Sequence, residues 1–418
     1  MSTLKFFFKV ILLVTLAVAD SVDDPLQWNS ESFDVSLLKD DNPDVYLSTP
    51  ELIKRHGYPV EIHKVQTDDG YILEMHRIPH GINGKGKTPR PVVFLQHGFI
   101  CSSSDWVIMG PGKGFAYILA DAGYDVWMGN ARGNRYSRKH ASLDPDKAKF
   151  WEFSFDEMGY YDLPAEIDHV LAHTGQQKLF YAGHSMGTTM FYAMASRRPE
   201  YNGKIKAMFS LAPVAFMGRL KSPIRLLAPF TTAIKWLTKM IGMNEFLPST
   251  NFMSFVGDEL CREQVVTQGI CNNILFLLCG YDSNQLNETT VPVIIGHVPA
   301  GTSTRAALHF AQEINSRHFR RYDYGIIGNL RNYGSLSPPD YDLNLITAPV
   351  YLHYSDNDWM ANEQDVLDLY KGLGNVKAML PVPHLQFNHL DFLWATDVKE
   401  LLYDKILSLM NGALNAKE

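Results

Sequence analysis

The stretch Leu179–Thr189, LFYAGHSMGTT, constrains the fold of this chain more than any other segment. The short apolar run Leu179–Ala182 reads as a buried strand, and Met186–Arg197 has the spacing of a helix. Between them lies Gly183-His184-Ser185-Met186-Gly187, a G-x-S-x-G pentapeptide. A strand that passes straight into a helix leaves room only for a sharp turn. The two glycines remove the side chains that would collide with neighbouring backbone there. Such a turn lifts the serine hydroxyl above the sheet edge, at the positive end of a helix. The pentapeptide alone arises by chance in many chains. Its place between strand and helix makes Ser185 a candidate nucleophile.

The neighbouring sequence supplies the sheet. Val60–Val65 and Tyr71–Ile78, with Asp69-Gly70 between them, read as a hairpin. Val92–Gln96, Tyr124–Met128 and Ile205–Leu211 are further short strands, with a helix at Gly114–Ala122. Ser154 and Glu157 form a capping-box pattern, and Asp162 before Pro164 reads as the cap of a helix reaching His173. Strands alternating with helices predict an α/β chain with a mostly parallel central sheet flanked by helices. The rhythm stops after Pro213 and returns at Val350–Tyr354, followed by a helix near Asp365–Gly372, a strand at Val376–Val382 and one helix over Leu390–Gly412. Residues 213–345 are therefore expected to form a mainly helical cap or lid, inserted into a core made of residues 20–212 and 346–418.

Lys5 and Lys9 flank Phe6–Phe8, Val10–Val18 is apolar, and Ala17-Val18-Ala19 offers a small-residue cleavage point. Residues 1–19 read as a signal peptide, too short for a membrane span. The mature chain is expected outside the cytosol, with no transmembrane anchor. The net charge of −7 gives no basic footprint for nucleic acid. Four cysteines, Cys101, Cys261, Cys271 and Cys279, are too few for a disulfide scaffold but allow one bridge in an oxidising compartment. Asn287-Glu288-Thr289 is a glycosylation sequon.

A nucleophilic serine needs a base and an orienting acid, in the chain order serine, acid, histidine for this fold. The acid should follow a late strand. Asp358 is the choice after Val350–Tyr354, with Asp356 as its rival. The base should follow the last strand. His389, beside the final helix, is preferred to His384. Two backbone N–H groups should hold the oxyanion: Met186, next to the serine, and Phe99, in Gln96-His97-Gly98-Phe99 after an earlier strand. No H-E-x-x-H, clustered cysteine–histidine set or dinucleotide glycine fingerprint stands out, so neither metal nor organic cofactor is expected.

Taken together these pieces resemble the acid lipase family of α/β-hydrolases, of the gastric and lysosomal type. The resemblance covers nearly all of the mature chain. It runs from Asn42-Pro43-Asp44-Val45 through Phe94–Gly98, Leu119–Asn134, Phe153–Met158 and Gly183–Thr189 to Pro299–Ser303, Asn357-Asp358 and Asn388–Phe392. It implies that Ser185, Asp358 and His389 are the triad and that Phe99 and Met186 form the oxyanion hole. Met186 stands where gastric members carry glutamine, which leaves the backbone N–H unchanged. Asn362 stands where an aspartate is common. The family's bridge would fall on Cys261 and Cys271, leaving Cys279 free, with the cluster's spacing off by one residue.

The resemblance further implies a secreted or lysosomal serine lipase. It would cleave triacylglycerols or sterol esters at a lipid–water interface, through an acyl-enzyme, with no protein partner. The catalytic residues alone equally suit a carboxylesterase for soluble short-chain esters. An intact triad argues against a non-catalytic lipid-binding relative. The apolar segments Leu226–Phe230, Trp236-Leu237 and Phe246-Leu247 are candidates for a lid or an acyl tunnel, or for packing of the insertion onto the sheet.

Overall fold

The computed structural model describes residues 42–86, 89–248, 276, 278–282 and 284–415. Its strands are β1 Glu61–Gln66, β2 Tyr71–Ile78, β3 Val92–Gln96, β4 Asp125–Met128, β5 Lys139–His140, β6 Leu179–His184, β7 Ile205–Leu211, β8 Glu245–Phe246, β9 Thr302–Ser303, β10 Val350–Tyr354 and β11 Val376–Pro381. The helices are α1 Thr49–Arg55, α2 Phe115–Asp121, α3 Phe155–Glu157, α4 Leu163–Thr174, α5 Met186–Arg197, α6 Thr231–Met240, α7 Val291–His297, α8 Thr304–Ser316, α9 Ile326–Tyr333, α10 Glu363–Gly372, α11 Asp391–Trp394 and α12 Asp404–Asn415.

The main sheet runs in the order β1-β2-β4-β3-β6-β7-β10-β11, with β5 added to β2. From β4 to β11 every neighbouring pair is parallel, whereas β1, β2 and β5 pair antiparallel. The sequence pattern explains the split. β3 (VVFLQ) is buried at every position, as a strand covered on both faces must be, while β1 alternates between half-buried and exposed. Neighbouring residues on β3 feed opposite layers. Val93 and Leu95 pack into one hydrophobic cluster with α2 and α12, and Val92 and Phe94 into another with α4 and α5. The β1–β2 turn falls at Asp69-Gly70, where Gly70 takes φ +98°.

Two sequence expectations are corrected. Asp162 does not cap α4. The capping box of Ser154 and Glu157 is present, but α3 runs on through a wide π-type turn, Met158–Asp162, directly into α4. Asp162 therefore sits inside a continuous helical path, and its carboxylate instead meets Arg132 Nε at 2.7 Å. Arg132, buried, also reaches both oxygens of Asp69 at 2.6 and 2.8 Å, tying the first hairpin to α4. Nor is the final helix single. It breaks at Ala395, whose backbone is extended, before a π-type turn at Lys399–Tyr403 leads into α12. The break has a visible cause: Thr396 N–H donates to Gln285 O, and Leu286 bridges Ala395. A segment from before β9 intercepts the chain there.

Between Leu211 and Val350 no described residue joins the main sheet. That stretch contributes α6 to α9 and the two-residue pair β8–β9.

Candidate active site

Ser185 sits at the junction of β6 and α5 with φ +52° and ψ −118°. That conformation costs about 1–3 kcal/mol and survives only where its surroundings enforce it. They do so here. The Ser185 N–H donates to Leu211 O at 3.0 Å, and its carbonyl accepts from Thr188 N–H at 2.8 Å and Thr188 Oγ1 at 2.7 Å. The flanking glycines are required by space. A Cβ on Gly187 would lie 2.3 Å from Gln96 O, and one on Gly183 would lie 2.8 Å from Gly187 C and O.

His389 Nε2 is 2.8 Å from Ser185 Oγ, and His389 Nδ1 is 2.8 Å from Asp358 Oδ2. All three are buried; Ser185 retains 9% exposure. Asp358 Oδ1 also accepts the N–H groups of Met360 and Ala361, each at 2.8 Å, so the acid is an acceptor on every side. An acceptor facing Nδ1 puts the ring proton there and leaves Nε2 as a lone pair facing the serine hydroxyl. The rivals are elsewhere. Asp356 is exposed, with its carbonyl held by Lys221 Nζ, and His384 Nε2 meets the buried Asp282 at 2.7 Å.

The histidine's backbone is pinned as firmly as its ring. Asn388 Oδ1 accepts from Leu390 N–H at 2.8 Å, and Asn388 N–H donates to Asp391 Oδ2 at 2.6 Å. His184 Nε2 donates to His389 O at 2.9 Å. The carbonyl of Cys279 accepts both His389 N–H, at 3.3 Å, and Trp359 N–H, at 3.2 Å, bridging the loops of base and acid. Gly280, with φ +108°, passes so close that a Cβ would lie 2.2 Å from Asn357 O. The sequence reading gave Cys279 only a free thiol. Its thiol is indeed free and buried, but its backbone is what joins the two loops. Cys261 and Cys271 lie outside the described residues.

The oxyanion candidates flank the serine. Met186 is the first residue of α5, where a helix leaves its N–H groups without intrahelical partners. Gly98 lies against Ser185: a Cβ there would come 3.4 Å from Ser185 Cβ. His97 Nδ1 is 2.8 Å from Gly98 O, and His97 Nε2 accepts from Ala131 N–H at 3.1 Å, so Nδ1 carries the proton. Burial pushes the His97 pKa down to about 4, opposed by the bond to Gly98, so the ring is neutral near pH 7. Because a trans peptide points its C=O and N–H in opposite directions, holding Gly98 O against His97 turns the Phe99 N–H the other way. His97 thus fixes the orientation of this peptide, a contact that its His-Gly pair, placed after β3, does not reveal in the sequence. The Phe99 ring lies 5.8 Å from Phe246 and 5.4 Å from Phe310, centroid to centroid, so β8 and α8, from the stretch between Leu211 and Val350, form part of its apolar surroundings.

Comparison with known proteins fits this geometry. Residues 49–110 match a family model described as a partial alpha/beta-hydrolase lipase region, and residues 91–242 match one described as the alpha/beta hydrolase fold. Lipase 3 of Drosophila melanogaster is 47% identical over 363 residues, covering 87% of this chain and 92% of that protein. The chain belongs to the acid lipase family. Gastric triacylglycerol lipase of Rattus norvegicus is 42% identical over 373 residues, covering 88% and 93%. Lipase lipl-1 of Caenorhabditis elegans is 42% identical over 386 residues, covering 90% and 94%. A crystal structure of a Sulfolobus solfataricus protein superposes with a TM-score of 0.54 at 13% identity, over 84% of this chain and 94% of that one, and shows the shared fold of this acid lipase.

Proposed function

We propose that this acid lipase hydrolyses neutral-lipid esters, triacylglycerols or sterol esters, through an acyl-enzyme on Ser185. The observation that carries this reading is the unbroken chain from Ser185 Oγ to His389 Nε2 at 2.8 Å and from His389 Nδ1 to Asp358 at 2.8 Å. As Ser185 Oγ attacks the ester carbonyl, Nε2 takes its proton and Asp358 balances the imidazolium. The N–H groups of Phe99 and Met186 receive the oxyanion. The imidazolium returns its proton to the departing alcohol, and water then releases the acyl group by the same steps in reverse.

A lipid substrate is favoured over a soluble short-chain ester by the apolar setting. Phe99, Phe246 and Phe310 cluster beside the site, and Phe230, Trp236, Met240 and Ile241 are exposed around α6, with Trp236 at 64%. So the segments expected to form lid or tunnel divide: Phe246 faces inward to Phe99, whereas Phe230 and Trp236 face solvent. On this reading the described residues of the 213–345 stretch form a cap whose outer apolar side chains meet a lipid surface and whose movement admits substrate to a nearly closed serine; residues 249–275, 277 and 283 of that stretch lie outside the described residues. Among the described residues no helix is long and apolar enough to cross a membrane. Secretion to the extracellular space or gut lumen, or delivery to the lysosome, is part of the proposal. So is a glycan on Asn287, which is half-buried, with its Oδ1 accepting from Thr289 Oγ1 at 2.8 Å. Residues 1–19 lie outside the described residues.

The test is the hydrolysis rate of one ester measured across its solubility limit, beside a long-chain triacylglycerol emulsion and a dissolved short-chain ester. A step in rate as droplets form, and turnover of the emulsion, are expected. Smooth saturation, with activity confined to the dissolved ester, would favour the carboxylesterase.

A further inference from the structure

Strand β1 and helix α4 bring together three imidazoles that ester hydrolysis does not use. His169 and His173 lie four residues apart on α4 and therefore share a face. His63 comes from β1, on its half-buried side. One ligand-capable atom from each ring lies within 4.8 Å of those of the other two. His63 Nδ1 and His169 Nε2 are 3.3 Å apart. Two nitrogens each about 2.0–2.1 Å from a tetrahedral ion are separated by roughly the same distance. The three rings surround Trp127, with centroids 4.5, 6.0 and 5.4 Å from it for His63, His169 and His173.

Charged neighbours decide which nitrogens present lone pairs. Glu61 Oε2 is 3.0 Å from His63 Nε2, so that nitrogen carries the proton and Nδ1 is free to coordinate. A carboxylate on the far nitrogen is the usual outer support of a metal-binding histidine. Arg77 Nη1 donates to His173 Nε2 at 3.0 Å, marking a second lone pair. Arg77 opposes a cation, but its charge is already matched. Its Nε and Nη2 hold Asp125 at 2.8 and 2.7 Å, and its Nη1 holds Glu61 at 2.8 Å. It can release His173 and keep both carboxylates.

We propose that His63, His169 and His173 bind one divalent transition-metal ion of the zinc type, with a further coordination position open to solvent beside the exposed His173. Three neutral imidazoles select zinc, copper or nickel over magnesium or calcium. β1 lies four strand steps from β6, about 19 Å at roughly 4.8 Å per step. The ion therefore clips the sheet's edge strand to α4 and takes no part in the chemistry at Ser185.

The test uses untagged full-length protein stripped with a chelator and titrated with zinc chloride by calorimetry, with Tm followed in parallel. The chain has 15 histidines, so the informative quantity is the difference from variants. Wild type should bind one equivalent more than His169→Ala or His173→Ala, and should gain Tm with zinc where these two variants do not. Glu61→Gln should keep that equivalent with a Kd about 10–100-fold weaker. His173 is exposed, so its variant remains decisive should a substitution at the more buried His63 fail to fold. Equal stoichiometry and equal Tm response in wild type and both alanine variants would overturn the proposal, leaving the cluster as packing alone.

Discussion

Gly187→Ala adds one methyl group, and the structure says where it goes. The new Cβ would lie 2.3 Å from Gln96 O, 2.9 Å from Gln96 C and 3.0 Å from His97 O. All three are backbone atoms of the segment that carries the Phe99 N–H, and none can rotate aside. Restoring ordinary contact requires that segment or α5 to retreat by about 1 Å, and a misplacement of that size costs roughly 10²-fold in rate. Loss of one oxyanion donor costs about 10²–10³-fold in kcat. We therefore expect kcat for a dissolved ester to fall by two to three powers of ten in Gly187→Ala, with KM changed far less. Gly203→Ala is the control, because nothing lies within 4 Å of its Cβ and its φ is not positive. The assay is steady-state hydrolysis of a chromogenic short-chain ester by both variants, with folding checked by near-UV circular dichroism. A folded Gly187→Ala enzyme with kcat within about threefold of wild type would refute the reasoning, since the close approach would then not set the oxyanion geometry.

Two further outcomes follow from the same contacts. His389→Ala should cost several powers of ten in kcat/KM, and His384→Ala, which loses its bond to Asp282 and an edge contact with Phe387, should cost less than about tenfold; matched losses in two folded variants would contradict the choice of base. Burial pushes Asp391 up to about 8, opposed by Asn388 N–H and reinforced by Asp282. A raised carboxyl is protonated in the fold and ionised in the unfolded chain between about pH 4 and 8, so its contribution is fully present below pH 4 and is lost as pH rises to 8. The Tm of Asp391→Asn relative to wild type should therefore climb from pH 4 to pH 8, and a flat difference across that range would contradict the assignment.

Much of the site was legible because its parts are local. The strand–turn–helix at Ser185 is written in eleven consecutive residues, and β3 and β10 announce themselves as apolar runs whose ends carry Phe99 and Asp358. Chain order ranked the acid and base candidates, and the structure brings Asp358 and His389 to hydrogen-bond distance of each other and His389 to Ser185. What escaped involves partners distant in sequence. Asp162 looks like a cap because its own neighbourhood reads that way, yet Arg132, 30 residues earlier, claims its carboxylate. The break at Ala395 is made by Gln285 and Leu286, more than a hundred residues away. His97 needs Ala131 to fix its tautomer, and Cys279 acts through a carbonyl that residue type cannot advertise. His169 and His173 show their four-residue spacing, but His63 joins them only once β1 lies on α4.

The central claim is that Ser185, activated by His389, is the nucleophile that carries the acyl group. The most direct measurement is intact-protein and peptide mass spectrometry after treatment with a serine-directed alkyl phosphonate ester, on wild type, Ser185→Ala and His389→Ala. One adduct per chain, on the peptide containing Ser185, should form in parallel with loss of activity. It should be absent from Ser185→Ala and far slower in His389→Ala. An adduct on another serine that tracks inactivation, or a folded Ser185→Ala protein that still turns over ester, would contradict it.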